Sequence, residues 1–210
     1  MEKVTVNKTI NLSEHFMLGE VTKSRHAEIY NIPSHVAIEN LKRICTWLEE
    51  LRRRYNQQYV CGSVSPPKLG GVPVWAGWSE EAPDIPSFLR PSGSKRPSAE
   101  RRPPLAPPNS GGEIDTEEPI IINSGYRSPE LNKKVGGSPT SNHLTGCAVD
   151  IRVAGIEQAL RYAVILMDYA DETRQDYDEI LIEKNRYGAI WLHFAVRPKD
   201  NRRKTMFLQV

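Results

Sequence analysis

The stretch SNHLTGCAVD, residues 141–150, read together with WLHFAV, residues 191–196, decides how this chain is understood. The first offers His143 and Asp150 with Gly146 between them; the second offers His193. Two imidazoles and one carboxylate are a usable ligand set for a catalytic Zn²⁺, leaving a fourth position open for water. The interval from His143 to Asp150 is not that of two ligands on one helical turn. It suits a loop that carries His143, turns at Gly146 and enters a strand over 148–153 with Asp150 inside it.

Strand parity sharpens this reading. Alternation along AIWLHFAV, residues 189–196, puts Trp191, His193 and Ala195 on one face and Ile190, Leu192, Phe194 and Val196 on the other. The second set is core, so His193 points away from the apolar side. Asp150 is an acid between Val149 and Ile151, and burying a carboxylate there is costly unless it meets a cation. Cys147 has the opposite parity to Asp150 and reads as packing.

SNHLTGCAVDI resembles the S-x-H-x-x-G-x-A-x-D signature of the M15 zinc peptidases, the D-alanyl-D-alanine carboxypeptidase and endolysin family. INSGYRSPELN, residues 122–132, resembles that family's other marker, and WLHFAV its final W-x-H. LSEHFMLGEVTKS, from residue 12, is similar to the lead-in of the phage-type branch. The resemblance implies a Hedgehog/DD-peptidase-like fold, zinc held by His143, Asp150 and His193, and peptidoglycan stem peptides as substrate. It also implies that Arg127 stabilises the transition state or holds a substrate carboxylate, and that Ser141 and Tyr126 belong to the substrate site. Arg127 can equally tie a strand end to the next helix, and Ser141 can bond its own backbone. Glu183, closing DEILIE, matches the glutamate of phage-type relatives and is the expected general base. Other branches carry an acid three residues before the last histidine, where this chain has Ile190. A hairpin pairing residue 183 with 189 would set Glu179 opposite His193, which makes Glu179 the reserve candidate.

Taken in order, residues 12–31 read as a short entry with one or two helical turns. Residues 34–54 form the clearest helix, capped by Ser34, with Ala37, Leu41, Ile44, Cys45, Leu48 and Leu51 as its stripe and Arg52–Arg54 at its C-terminal end. His15, His26 and His35 read as surface or packing histidines. Twelve of the 16 prolines fall between Cys61 and Pro119. Residues 60–117 therefore read as a Pro/Gly/Ser-rich insertion, mostly irregular, within a single domain over 1–210. Inside it, Trp75 and Trp78 can dock on the domain or line a groove, and Arg90, Lys95, Arg96, Arg101 and Arg102 form a basic cluster. PIIINSG is a strand, and Ser128-Pro129 opens a helix that Gly136 and Gly137 close. Residues 155–170 form an amphipathic helix with Ile156, Ala159, Leu160, Ala163, Val164 and Met167 inward. Strands over 178–184 and 189–196 are joined by a turn at NRYG, and KTMFLQV ends the chain as a last strand. The class is α+β, a small, mostly antiparallel sheet with helices packed on it.

Charges nearly balance, 28 basic against 26 acidic, so nothing points to nucleic acid. No apolar run approaches the roughly 20 residues of a membrane span. MEKVTVNKTINLSEHF lacks the apolar core of a signal peptide, so synthesis in the cytoplasm and action on the bacterial wall are expected. Three scattered cysteines, Cys45, Cys61 and Cys147, fit a reducing compartment. A monomer is expected. Two further readings stay open: a cytoplasmic D,D-dipeptidase, and a non-catalytic zinc-binding module that recognises wall peptides.

Overall fold

Among the described residues, five strands and two long helices arise from two different periodicities. The computed structural model describes residues 9–60 and 117–210. The expectations for residues 60–117, including the roles of Trp75, Trp78 and the basic cluster, fall outside the described residues except at Val60 and Glu117. Cys61 lies outside them too.

After a four-residue helix α1 (Leu18–Val21), the long helix α2 (His35–Tyr55) starts where Ser34 accepts a hydrogen bond from the Ala37 N–H at 3.2 Å. Its last turn carries Arg52–Arg54, the charge that a helix C-terminus favours. Every residue of the expected stripe, Ala37 to Leu51, is buried, and Trp47 and Tyr55 extend it. Strand β1 (Ile122–Ser124) leads to α3 (Pro129–Lys134), where Ser128 accepts from the Leu131 N–H. A single 3-10 turn (Asn142–Thr145) precedes β2 (Ala148–Arg152). Helix α4 (Ile156–Thr173), β3 (Glu179–Lys184), β4 (Ile190–Ala195) and β5 (Lys204–Gln209) follow.

The strands form one sheet in the order β1-β2-β4-β3-β5. Neighbours are antiparallel except β3 and β5, which run parallel, so the sheet is mixed and the class is α+β. Helices α2 and α4 supply the core on one side of it. Trp47 of α2 lies 5.5 Å from the Phe194 ring and meets Tyr169 of α4 edge-on at 4.8 Å. Val149, Ile151, Ile180, Ile182 and Leu192 complete that core. Arg54 ties the two helices at their rim through Glu172 at 2.6 Å, an exposed pair that contributes little.

Two expectations are corrected. Ile156, Leu160 and Val164 of α4 do not face inward: they are 45%, 43% and 46% exposed. The buried face is Ala159, Tyr162, Ala163, Leu166 and Ala170, also in helical spacing but rotated around the axis. Apolar residues nearly encircle this helix, so spacing allows more than one stripe. Tyr162, packed edge-on against Tyr55 at 4.8 Å, selects the one used. The second correction is the β3–β4 register. Glu183 pairs with Trp191, so Leu181 rather than Glu179 stands opposite His193. The turn is two residues wider on the β4 side than a 183–189 pairing needs, with the Asn185 N–H bonded to the Ala189 carbonyl at 3.0 Å and Gly188 at φ +88°.

Candidate metal centre

Register brings the key residues into three parallel rows on the face away from the helices. Asp150, His193 and Leu181 share the central row. Arg152, Trp191 and Glu183 form the row on one flank, and Ala148, Ala195 and Glu179 the row on the other. His143 reaches the central row from the 3-10 turn. Ser141 starts that turn by accepting from the His143 N–H at 3.3 Å, and Gly146 ends it at φ +71°. A Cβ on Gly146 would lie 2.5 Å from the Ala37 carbonyl oxygen, so glycine is needed here for both conformation and room.

The three side chains converge. Asp150 Oδ1 lies 2.9 Å from His193 Nδ1 and 3.3 Å from His143 Nε2. One donor atom from each residue lies within 4.8 Å of the others, and all three residues are buried. Their orientations are fixed from behind. His143 Nδ1–H donates to the Gly125 carbonyl at 2.6 Å, which leaves Nε2 as the lone pair facing Asp150. Nε2 of His193 faces Glu179 Oε2 at 3.6 Å, an ion-pair contact longer than a hydrogen bond. Arg127 Nη2 donates to Asp150 Oδ2, and its Nε donates to Ser124 Oγ at 2.9 Å. Imidazoles backed by a carbonyl or a carboxylate, with the other nitrogen aimed inward, are the arrangement of histidines that ligate a metal.

Electrostatics point the same way. Burial disfavours charge on His193, but its contacts with Asp150 and Glu179 outweigh that and lift its pKa to about 9. Burial works to raise the Asp150 pKa, and the two imidazoles overcome it and hold the carboxyl well below its usual range. His143 is shifted down, chiefly by burial. Burial also pushes the Glu183 carboxyl up. Glu179 is held at about 2, chiefly by its contact with His193. A buried carboxylate with two more close by is a place that calls for positive charge, and two nitrogens and one oxygen are donors suited to a zinc-like ion. The residues present therefore fit a metal.

Behind the site lies a polar cluster with no counterpart in the expectations. Asp178, fully buried, accepts from Arg202 Nε at 2.8 Å and Nη2 at 2.7 Å and from Asn142 Nδ2 at 2.8 Å. Asn142 also donates to Glu179 at 3.0 Å, so the residue before His143 ties the 3-10 turn to β3. Its place inside SNHLTGCAVD was the available signal. The Gly125 carbonyl was illegible because a backbone acceptor has no residue type.

The other expected site residues are placed as follows. Glu183 is half-buried on the site face, close enough to His193, Asp150 and Arg127 to feel their charges. Tyr126 is buried, its N–H bonded to the Val21 carbonyl at 2.7 Å. Ser141 serves its own turn. His15 pairs with Glu49 at 2.7 Å and His26 with Glu28 at 3.2 Å, and neither joins the cluster. His35 is exposed. Cys45 and Cys147 are buried free thiols. Ile190 faces the core, which explains why an acid three residues before His193 would not serve this chain: it would sit on the wrong side of the sheet. Among the described residues, His143, Asp150 and His193 form the one group that could hold a metal.

A buried two-histidine, one-carboxylate centre on an α+β sheet defines the class, a protein with a cluster that could hold a metal ion. Residues 113–175 match the family model described as Peptidase M15, which supports the M15 peptidase family and with it a metallopeptidase. The match takes in Arg127, His143 and Asp150 and ends before His193, which the sheet register supplies. No curated protein matches the chain. No described helix is long and apolar enough to cross a membrane.

Proposed function

We propose that this protein is a zinc-dependent peptidase that hydrolyses peptidoglycan stem peptides at a bond next to a D-amino acid, as a D-Ala-D-Ala carboxypeptidase or endopeptidase of the phage endolysin type. The observation that carries it is the row arrangement. A ligand set centres on the middle row, with Glu183 in the flanking row whose Arg152 and Trp191 line a groove and Glu179 on the opposite flank. When bound, zinc supplies a Lewis acid and a water of lowered pKa. Glu183 takes the proton from the attacking water on its carboxylate and passes it to the leaving amine. Its raised pKa suits both halves of that task. Arg127 holds Asp150 in place and lends its positive charge to the oxygen of the scissile carbonyl. Glu179, tied to Asn142, steadies His193 from behind. The Hedgehog/DD-peptidase-like architecture and action at the bacterial wall belong to the same reading.

The test is mass spectrometry of purified peptidoglycan fragments incubated with the zinc-loaded protein, with a chelator control. The expected result is zinc-dependent loss of D-Ala or opening of a cross-link. Glu183→Gln should keep its zinc and lose about 10²–10⁴-fold in kcat, the scale of general-base catalysis. Unchanged turnover in that variant would remove Glu183 from its role. Zinc retention with no product from any wall fragment would favour a binding module.

A further inference from the structure

A groove of about 760 Å³ runs from the metal centre, lined by Asp150 and Trp191 at the site end and by Lys23, Arg25, Arg127 and Arg152 along its walls. Its charge is one-sided. Asp150 is the sole acid among the lining residues, and it is already engaged by Arg127, His143 and His193. Arg152 donates to Asn123 Oδ1 at 3.3 Å, and among the described residues neither it, Lys23 nor Arg25 has an ion-pair partner. The whole chain carries a formal charge of only +2, so this is a local concentration of cations rather than a general basicity. Cations lining one groove repel each other and draw in an anion.

The cations come from two separate elements. Lys23 and Arg25 follow α1, whereas Arg152 ends β2 two residues after the ligand Asp150 and on the same face. Two residues along a strand are roughly 6.6 Å, which is the reach of one to two residues of an extended peptide.

Resting on the peptidase reading above, we propose that this groove is a carboxylate subsite: Arg152 on one wall and Arg25 with Lys23 on the other grip a substrate carboxylate one to two residues from the scissile bond. The substrate class is then an acidic peptide. The carboxylate comes from the peptide's C-terminus or from a glutamate within it, and guanidinium groups recognise both.

The experiment uses the zinc-loaded full chain and a fluorescein-labelled stem pentapeptide, L-Ala-γ-D-Glu-L-Lys-D-Ala-D-Ala. Two counterparts carry isoglutamine in place of the glutamate or a C-terminal carboxamide. Amidation at the recognised position should lower kcat/KM by about tenfold, the scale of one lost charged hydrogen bond. Which counterpart suffers identifies the source. Arg152→Gln and Arg25→Gln should each bring the acid-to-amide ratio towards one, and Arg152→Glu should invert it. Both positions are exposed, and zinc content checks that each variant folds. Equal use of all three peptides by the native protein would overturn the subsite, as would an unchanged ratio in both glutamine variants. Fluorescence anisotropy separates this from the function itself. Preferential binding of the acidic peptide without hydrolysis sinks the peptidase reading and keeps the subsite; hydrolysis without preference does the reverse.

Discussion

The two faces of the sheet are made from alternate residues of the same strands, yet they obey different physics. On one face Val149, Ile151, Leu192 and Phe194 are wholly or almost wholly buried beneath α2 and α4. On the other, one residue along each strand, Asp150 and His193 meet His143 in a polar cluster whose orientation depends on hydrogen bonds. The first face tolerates errors of chemistry poorly and errors of angle well. The second depends on direction, because a lone pair aimed wrongly is useless to a metal. Apolar burial is concentrated on the helix face, and the cluster that could hold a metal lies on the other.

Single substitutions can break this division or sharpen it. The largest effect is expected from Phe194→Ala, next to His193 but facing Trp47: about 3–5 kcal/mol lost in denaturant unfolding, the cost of truncating a buried phenylalanine. While the variant stays folded, its zinc affinity should be close to native, and a proportionate fall in both would refute the separation of roles. Glu179→Ala should act the other way. Competition with a chromophoric chelator should show zinc affinity lower by about tenfold, the low end for a group that orients a ligand, because the contact with His193 is 3.6 Å. A native affinity would remove Glu179 from any role behind His193. The smallest effect should come from Leu160→Ser on α4, within about 0.5 kcal/mol, as expected of an exposed position. A loss of several kcal/mol would return Leu160 to the core.

The cluster of His143, Asp150 and His193 was legible because its motif is local and because strand parity is a two-residue repeat. Knowing that Leu192 and Phe194 are core forces His193 to the other side. Helix α2 was legible for a similar reason, since its apolar residues leave one stripe. Helix α4 was not, because Ile156, Leu160 and Val164 compete with Tyr162 and Leu166 for the core and only neighbours decide between them. The β3–β4 register escaped the sequence as well. A turn of uncertain width slides one strand past the other, and that slide moved Glu179 from opposite His193 to opposite Ala195.

The sequence by itself determined the residue types of the polar cluster, the strand that carries Asp150, the face that His193 occupies and the stripe of α2. These follow from side-chain chemistry and from periodicities that the backbone imposes over a few residues. Only the tertiary structure decided which glutamate shares a row with Arg152 and Trp191, which carbonyl orients His143, and that Lys23, Arg25 and Arg152 line one groove with Asp150. Those facts depend on how distant segments are brought together, and no local spacing encodes a distance through space.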